Sequence, residues 1–314
     1  MLVALAGGIG AARFLSGLVR VTEPTQLTVV GNTGDDLVLN GLHISPDLDT
    51  VAYTLGGGVH AGQGWGRAEE TFAVASELRE RYGRSDWFAL GDRDIATHLV
   101  RSSMLAEGHS LSSATAEIAR RWHLGFALVP MTDEAAPTRI RTADGRTLHF
   151  QEWWVGERAE PAVEQVDLSA ARAASPAPGV IDALAAADAV ILCPSNPVVS
   201  IGPILEVEGI RAVLSGVPVV GVSPIVGGQV VRGMADRLLP GVGVEVSAAG
   251  VARLYSGFLD GWVIDSQDAG HAEAIVAEGV RVAVTDTIMR TPEVTEALAR
   301  TVLDLVAKLR GDGR

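Results

Sequence analysis

Four aspartates follow a short apolar segment near the start of the chain. They are Asp35, Asp36, Asp47 and Asp49, within the stretch GNTGDDLVLNGLHISPDLDT that begins at Gly31. Carboxylates in this pattern suit a hard divalent cation such as Mg²⁺, which takes one or two carboxylates and shares its shell with water and substrate phosphates. Because open parallel sheets bind ligands beyond the carboxyl ends of their strands, the position also indicates a ligand site.

The four acids have different alternatives to metal binding. Asp47 directly follows a Ser-Pro pair, so it is favoured as the cap of the next helix. Asp35 or Asp36 can instead form an Asx turn. We therefore predict Asp35, Asp36 and Asp49 as Mg²⁺ ligands, and Asp36 and Asp49 as catalytic residues. An aspartate that is not bound to metal is the candidate for a general base.

A glycine-rich segment, GGIGAARF, lies between the first apolar run and residues with helical spacing. Backbone N–H groups and the helix dipole at such a junction favour an anion. We predict that Gly7, Gly8 and Gly10 bind phosphate. Arg13 either reaches that phosphate or remains a surface charge. The alternative for the whole segment is a tight strand-to-helix turn with no ligand.

Charge and lysine content narrow the function classes. The chain has 25 Lys and Arg against 38 Asp and Glu, a net charge of −13. This balance argues against nucleic-acid binding, which needs a basic surface. Lys308 is the only lysine, so a P-loop with its Gly-Lys-Ser/Thr signature is excluded. Any phosphate must be held by backbone N–H groups, arginine, hydroxyl groups or a metal.

Alternating strand-like and helical segments occur at both ends of the chain and predict a parallel sheet. We expect an α/β fold with a Rossmann-like core formed by residues 1–65 and 176–314. Residues 66–175 are predicted to form a mainly helical insert that carries one hairpin at the turn Asp144-Gly145. No apolar run reaches the length of a membrane span, and no basic leader precedes the first strand, so we expect a cytoplasmic protein.

Several longer strings resemble the CofD/FbiA family, the 2-phospho-L-lactate transferases of deazaflavin coenzyme biosynthesis. The resemblance runs through essentially the whole chain in the family's order. The strings are GGIGAARFLSG, VVGNTGDDLVLNGLHISPDLDTVAYTLGG, WGRAEETF, DWFALGDRDIATHLVR and CPSNPVVSIGPIL.

This resemblance implies a Mg²⁺-dependent phosphotransferase. The donor is a guanosine diphosphate whose terminal phosphate carries lactate or enolpyruvate. The ribityl hydroxyl of a deazaflavin riboside attacks that phosphorus, and GMP leaves. Phosphoryl transfer depends mainly on positioning and on charge neutralisation, which fits the glycines and the acids. The choice between lactate and enolpyruvate stays open. A homodimer is expected for a chain of this size.

Two later loops offer polar groups to the nucleotide. Ser195, Asn196 and Ser200 lie in CPSNPVVSIGP after a predicted strand, and Ser223 follows the next predicted strand. Such side chains can bind a guanine or a ribose, and ordinary loop hydrogen bonding is the alternative.

The insert is expected to bind the planar acceptor. Trp65 and Trp87 are the candidates for stacking on it, with core packing as the alternative for each. In GDRDIATHL, Asp92 is predicted to cap the following helix. Arg93 is the choice for a functional residue that contacts phosphate or the acid's carboxylate.

Two other functions compete with the transferase. One is a regulatory protein that binds nucleotide-sugars on the same scaffold. The other is an NAD-dependent oxidoreductase, which is disfavoured because Arg13 occupies the third glycine position of the dinucleotide fingerprint. In addition, Gly31 and Asn32 stand where that fingerprint needs an acid at the end of the second strand.

Overall fold

A parallel sheet forms the centre of the computed structural model, which describes residues 1–60, 62–85 and 87–311. Seven strands make up this sheet in the order β14-β13-β10-β9-β1-β2-β5. The strands of the protein, in chain order, are β1 Leu2–Ala6, β2 Leu27–Gly31, β3 Leu37–Leu39, β4 Leu42–Ile44, β5 Ala127–Pro130, β6 Arg139–Thr142, β7 Thr147–His149, β8 Val163–Asp167, β9 Ala189–Leu192, β10 Val219–Val222, β11 Ile225–Val226, β12 Gln229–Val230, β13 Gly261–Asp265 and β14 Arg281–Thr285.

Helices cover both faces of this sheet. They are α1 Gly8–Val21, α2 Pro46–Leu55, α3 Ala73–Glu80, α4 Asp92–Ala106, α5 Leu111–Arg121, α6 Ser169–Ala173, α7 Val180–Ala185, α8 Ile201–Glu206, α9 Ile210–Leu214, α10 Ala235–Leu238, α11 Ala248–Leu254, α12 Ala272–Ala277 and α13 Pro292–Gly311. The predicted α/β fold with a Rossmann-like parallel sheet is confirmed.

The central strands are apolar on both faces because helices cover both sides of a parallel sheet. In β1, Val3 and Leu5 belong to one buried cluster, whereas Ala4 and Ala6 belong to the other. Strand β1 pairs with β2 on one side and with β9 on the other. The strand order reverses at this point, so a crevice opens beyond the carboxyl ends of β1 and β9.

The range predicted as the insert, residues 66–175, contains one strand of the central sheet. Strand β5 pairs with β2 in parallel and is the edge strand. The predicted boundaries are therefore wrong at this strand, because the insert is interrupted by it. The predicted hairpin is present as β6 and β7, and β8 joins it to form a three-stranded sheet.

Two helices of the insert, α3 and α4, are capped by acids from outside each helix. The Glu70 carboxylate accepts hydrogen bonds from the backbone N–H groups of Arg93 and Asp94, both at 2.8 Å. Asp92 accepts at 3.0 Å from the N–H groups of Ala73 and Val74. The prediction that Asp92 caps its own helix is wrong, because the two acids are exchanged between the two helices.

Candidate active site

The carboxyl ends of β1, β2 and β9 bring three loops together. The N–H of Asn32 donates to the Ala6 carbonyl at 2.9 Å, and the N–H of Cys193 donates to the Leu5 carbonyl at 3.1 Å. These bonds place the acid stretch and the loop CPSNP on either side of the glycine loop. The predicted meeting of the three motifs at one sheet edge is therefore confirmed.

Gly7 lies at the centre of this junction. A Cβ atom at Gly7 would be 2.6 Å from the Cβ of Ser200 and 2.7 Å from Oδ2 of Asp47. The N–H of Gly7 is 3.4 Å from Oγ of Ser195. Glycine is needed here because the backbone is in contact with side chains of both neighbouring loops.

The other two loop glycines have different roles. Gly8 has φ of +69°, a left-handed conformation that L side chains rarely adopt. A Cβ atom at Gly10 would be 2.2 Å from the carbonyl oxygen of Pro194. Gly10 therefore lets helix α1 pack directly against the loop CPSNP. Close packing explains Gly10 without a phosphate. The backbone N–H groups of Gly7 and Gly8 lie against Ser195 and Asp47, and their phosphate contacts stay a prediction.

Asn32 connects the acids, and sequence reasoning missed it. Its side chain is fully buried. The amide nitrogen lies 3.0 Å from Oδ1 of Asp35, 2.8 Å from Oδ2 of Asp47 and 3.2 Å from the Val199 carbonyl. Its oxygen accepts from the N–H of Gly34 at 2.8 Å. A polar residue that ends a parallel strand beside clustered acids was the signal that could have identified it.

Asp35 and Asp47 form a buried pair of carboxylates. Their side chains are 2% and 6% exposed. Burial raises the pKa of Asp35 well above its ordinary value, and the charge of Asp47 raises it further. Burial also raises the pKa of Asp47 to about 7, although the Asn32 amide opposes this shift. The amide of Gln151 donates to the other oxygen of Asp35 at 3.1 Å.

Asp47 does not cap helix α2, so that interpretation is wrong. Ser45 occupies the cap position, but its hydroxyl donates to Asp36 and accepts no hydrogen bond from the helix backbone. Asp47 lies in the first turn of α2 and accepts a hydrogen bond from the backbone of Gly8. Asp47, which is not among the metal ligands predicted from the sequence, is therefore the acid that contacts the glycine loop.

Asp36 points to different partners from those of Asp35. Its Oδ2 atom lies 3.0 Å from Nε2 of His43 and accepts from the Ser45 hydroxyl at 2.6 Å. Its Oδ1 atom is buried and has no partner among the described residues. Burial raises the pKa of Asp36, and the contact with His43 partly opposes the rise. Asp36 is therefore held in place with one free oxygen.

Asp49 is engaged in a buried ion pair. Both of its oxygens bind the guanidinium of Arg101, with Nη1 at 3.1 Å from Oδ2. Nδ1 of His98 lies 3.6 Å from Asp49, and Nε2 of His98 lies 3.4 Å from Asp94. This geometry argues against the predicted metal and catalytic roles of Asp49, because a guanidinium already neutralises it.

The predicted residues of the two later loops differ in whether their side chains already form hydrogen bonds within their own loop. The Asn196 carbonyl oxygen accepts from the N–H of Val198 at 2.9 Å, an Asx turn within its own loop. The Ser223 hydroxyl donates to the Ile225 carbonyl at 2.9 Å, so it also serves its own loop. Ser195 and Ser200 face Gly7, as described above.

Trp65 and Trp87, predicted to stack on the acceptor, and Arg93, predicted to contact phosphate or the acid's carboxylate, differ in exposure and in their partners. Trp65 is 49% exposed. Trp87 packs edge-on against Phe88, with ring centroids 5.5 Å apart. The Arg93 guanidinium pairs with the Glu69 carboxylate at 2.9 Å, and the Arg93 side chain is about half exposed. Trp65 is therefore the freer stacking surface, and Arg93 already has a counterion.

The acids fit a divalent cation that is completed by substrate. Asp35 and Asp47 are buried carboxylates held by neutral amides, and Asp36 has a buried oxygen without a partner. Within the described ranges, no three His, Cys, Asp or Glu side chains are arranged to hold a metal ion on their own. Mg²⁺ does not need such a cage, because it keeps several waters and binds through one or two carboxylates plus phosphates.

The fold and this site define a class: a Rossmann-like α/β protein with a crevice, at the carboxyl ends of its strands, lined by glycines and buried acids. A sequence model of the family described as "2-phospho-L-lactate transferase CofD" matches residues 2–302. The chain belongs to this family and is a transferase. No helix in the described part of the chain has the length and apolar character needed to cross a membrane.

Individual relatives and structures agree with this assignment. A phosphoenolpyruvate transferase of Streptomyces griseus is 50% identical, over 98% of this chain and 99% of its own. One of Mycolicibacterium smegmatis is 44% identical, over 96% and 97%. A crystal structure of a Bacillus halodurans protein superposes with a TM-score of 0.65 at 15% identity, over 96% of this chain and 98% of its own, which supports the fold alone.

Proposed function

We propose that this transferase moves a phosphoenolpyruvyl or phospholactyl group from a guanosine diphosphate-linked donor to the ribityl hydroxyl of a deazaflavin riboside and releases GMP. The observation that carries the proposal is the buried Asp35–Asp47 pair beside the glycine loop. Relatives named phosphoenolpyruvate transferases, at 50% and 49% identity, favour enolpyruvate as the donor's acid.

The residues of the crevice divide the work of donor binding. Backbone N–H groups at the start of α1 would bind the diphosphate. Asp35 and Asp47 would hold Mg²⁺, which when bound neutralises phosphate charge and polarises the attacked phosphorus. Ser195 and Ser200 close the far side of the loop, where they contact Gly7. The site thus holds phosphates without lysine.

The proton of the attacking hydroxyl also needs an acceptor. Asp36 is the candidate, because its Oδ1 atom has no partner and its Oδ2 atom is fixed by His43 and Ser45. Burial raises its pKa, which makes the carboxylate a stronger base near neutral pH. The hydroxyl oxygen then forms the new bond to phosphorus, the bond to the GMP oxygen breaks, and Asp36 retains the proton until release.

The acceptor ring would stack on Trp65. This side chain is 49% exposed, and its loop packs beside Ile9 at the start of α1. An exposed indole that borders the phosphate loop suits a planar ring system, because offset stacking adds to simple area burial. Trp87 is partly covered by its own neighbours and is the weaker candidate.

The proposal is tested by calorimetric titration of the purified protein with GDP, a UDP-sugar and NAD, each with and without Mg²⁺. We expect GDP to bind, and Mg²⁺ to tighten its binding in the wild type but not in Asp47→Asn. The variant Asp265→Asn is a matched control, since Asp265 is a buried acid that binds Thr287 on another part of the sheet. A preference for the UDP-sugar or NAD over GDP would contradict the proposal.

A further inference from the structure

Two arginines from distant parts of the chain converge beside the glycine loop. Arg13 lies in the first half of α1, and Arg232 follows the hairpin strand β12. Both arginines flank residues 62–66. A Cβ atom built on Gly64 would lie 3.1 Å from Nη1 of Arg232 and 4.0 Å from Nη2 of Arg13. The two guanidinium groups are therefore no more than about 7 Å apart at these atoms.

Glycine at position 64 makes this approach possible. Its φ of +72° is left-handed, and a Cβ atom there would also be 3.1 Å from Cγ2 of Ile9. Because Ile9 is the second residue of α1, the two guanidinium groups lie over the amino-terminal end of that helix. This end is where the helix dipole already favours an anion.

Neither arginine is neutralised in the part of the chain that the structure describes. Arg232 donates through Nη2 to the Gln63 carbonyl, and Arg13 donates through Nη1 to the Met289 carbonyl at 3.5 Å. Neither forms an ion pair with a carboxylate within residues 1–60, 62–85 and 87–311. By contrast, Arg101 has Asp49 as its counterion and Arg93 has Glu69. Two like charges this close repel each other until an anion lies between them.

We propose that Arg232 and Arg13 together bind an oxyanion of the donor beyond its first phosphate, either the second phosphate or the carboxylate of the acid. This inference rests on the proposed function and adds Arg232 to the donor site. A guanidinium offers paired N–H groups in a planar fork, which matches phosphate and carboxylate geometry. Arg232 and Arg13 thereby supply the positive charge that a lysine would provide in other phosphate sites.

The experiment is calorimetric titration of the wild type, Arg232→Gln and Arg232→Lys with GMP, GDP and the enolpyruvyl-linked guanosine diphosphate. Loss of one charged hydrogen-bonded contact typically weakens binding by about 10- to 100-fold. We expect Arg232→Gln to weaken binding by that factor while GMP affinity stays within about twofold. A loss already seen with GDP assigns the second phosphate. A loss seen only with the acid-bearing donor assigns the carboxylate.

Controls separate this effect from a change in loop structure. Arg232→Lys keeps the charge without the planar fork, so its affinity should lie between those of wild type and Arg232→Gln. Arg139→Gln, which removes an exposed arginine from β6, should bind every ligand like the wild type. Equal affinity of Arg232→Gln and wild type for all three ligands overturns the inference, and so does an equal loss for GMP and GDP.

Failure of the proposed function gives a different pattern. If the wild type binds no guanine nucleotide, the transferase proposal fails by itself. Titration with inorganic pyrophosphate then still tests the arginines. Binding that Arg232→Gln weakens by at least tenfold supports an oxyanion site, and binding that the variant leaves unchanged refutes it.

Discussion

Replacing Asp47 by Asn should stabilise the metal-free protein at alkaline pH. Asp47 has a folded pKa of about 7 against an ordinary value of 3.8, because burial disfavours its charge. A folded pKa above the unfolded one means that the stability contribution is complete below about pH 4 and is lost as pH rises to 7. At roughly 1.4 kcal/mol per pKa unit, the loss is about 4 kcal/mol.

Asparagine removes this loss at a small cost. Its oxygen can still accept from Asn32, but its NH₂ group cannot accept the hydrogen bond from the Gly8 backbone. That bond contributes about 1 kcal/mol. Asp47→Asn should therefore raise the free energy of unfolding by about 3 kcal/mol at pH 8. At pH 4 it should lower it by about 1 kcal/mol, since the wild-type acid is then neutral.

The assay is urea denaturation in EDTA at several pH values between 4 and 8. Asp265→Asn is the matched control with the opposite sign. Burial alone would raise the pKa of Asp265, but hydrogen bonds from Gln267 and Thr287 lower it below its ordinary value. That variant should be less stable than wild type at pH 8 and approach it as pH falls towards 3. Parallel stability curves for wild type and Asp47→Asn would refute the argument that Asp47 is a buried, uncompensated acid.

Three further outcomes follow from the same structure. Gly10→Ala should lower the free energy of unfolding, measured in urea, by about 3 kcal/mol or more, because its Cβ would be 2.2 Å from a backbone oxygen. Equal stability of the variant and the wild type would show that α1 can shift. Arg101→Met should lower the free energy of unfolding by about 3–5 kcal/mol, because it leaves Asp49 buried and unpaired. The double variant with Asp49→Leu should recover part of this loss. No recovery would show that the unpaired charge is not the cause. Mg²⁺ should raise the melting temperature at pH 8 by a larger margin for wild type than for Asp35→Asn, measured by thermal shift, and equal margins would contradict the assigned ligands.

The fold could be predicted from local patterns. Short apolar runs followed by helical spacing occur at both ends of the chain, and each of these runs is a strand of the parallel sheet. Strand β5 was missed because Ala127–Pro130 is short and is surrounded by the helical and hairpin segments of the insert. Strand β5 is placed in the sheet by its pairing with β2, about 100 residues earlier in the chain. A pairing between segments this far apart leaves no local pattern in the sequence.

The site could be predicted as a place but only partly as a set of residues. The strand ends located the three loops, since parallel strands share one ligand edge. The roles of the acids could not be separated, because Asp49 and Asp47 are distinguished by partners far away in the sequence. Arg101 from the insert neutralises one, and the backbone of Gly8 contacts the other. Arg232 was missed for the same reason.

The homodimer, the cytoplasmic location and the deazaflavin acceptor stay predictions made from the sequence. The choice between the two acids now rests on the names of relatives.

The most direct test of the central claim is a turnover assay with a deazaflavin riboside and each of the two donors, enolpyruvyl- and lactyl-diphosphoguanosine, with Mg²⁺ or with EDTA. Product and GMP are quantified by chromatography and mass spectrometry. The account predicts Mg²⁺-dependent release of one GMP per phosphorylated acceptor, with the enolpyruvyl donor preferred. GMP release that does not depend on the acceptor, or no product from either donor, would contradict it.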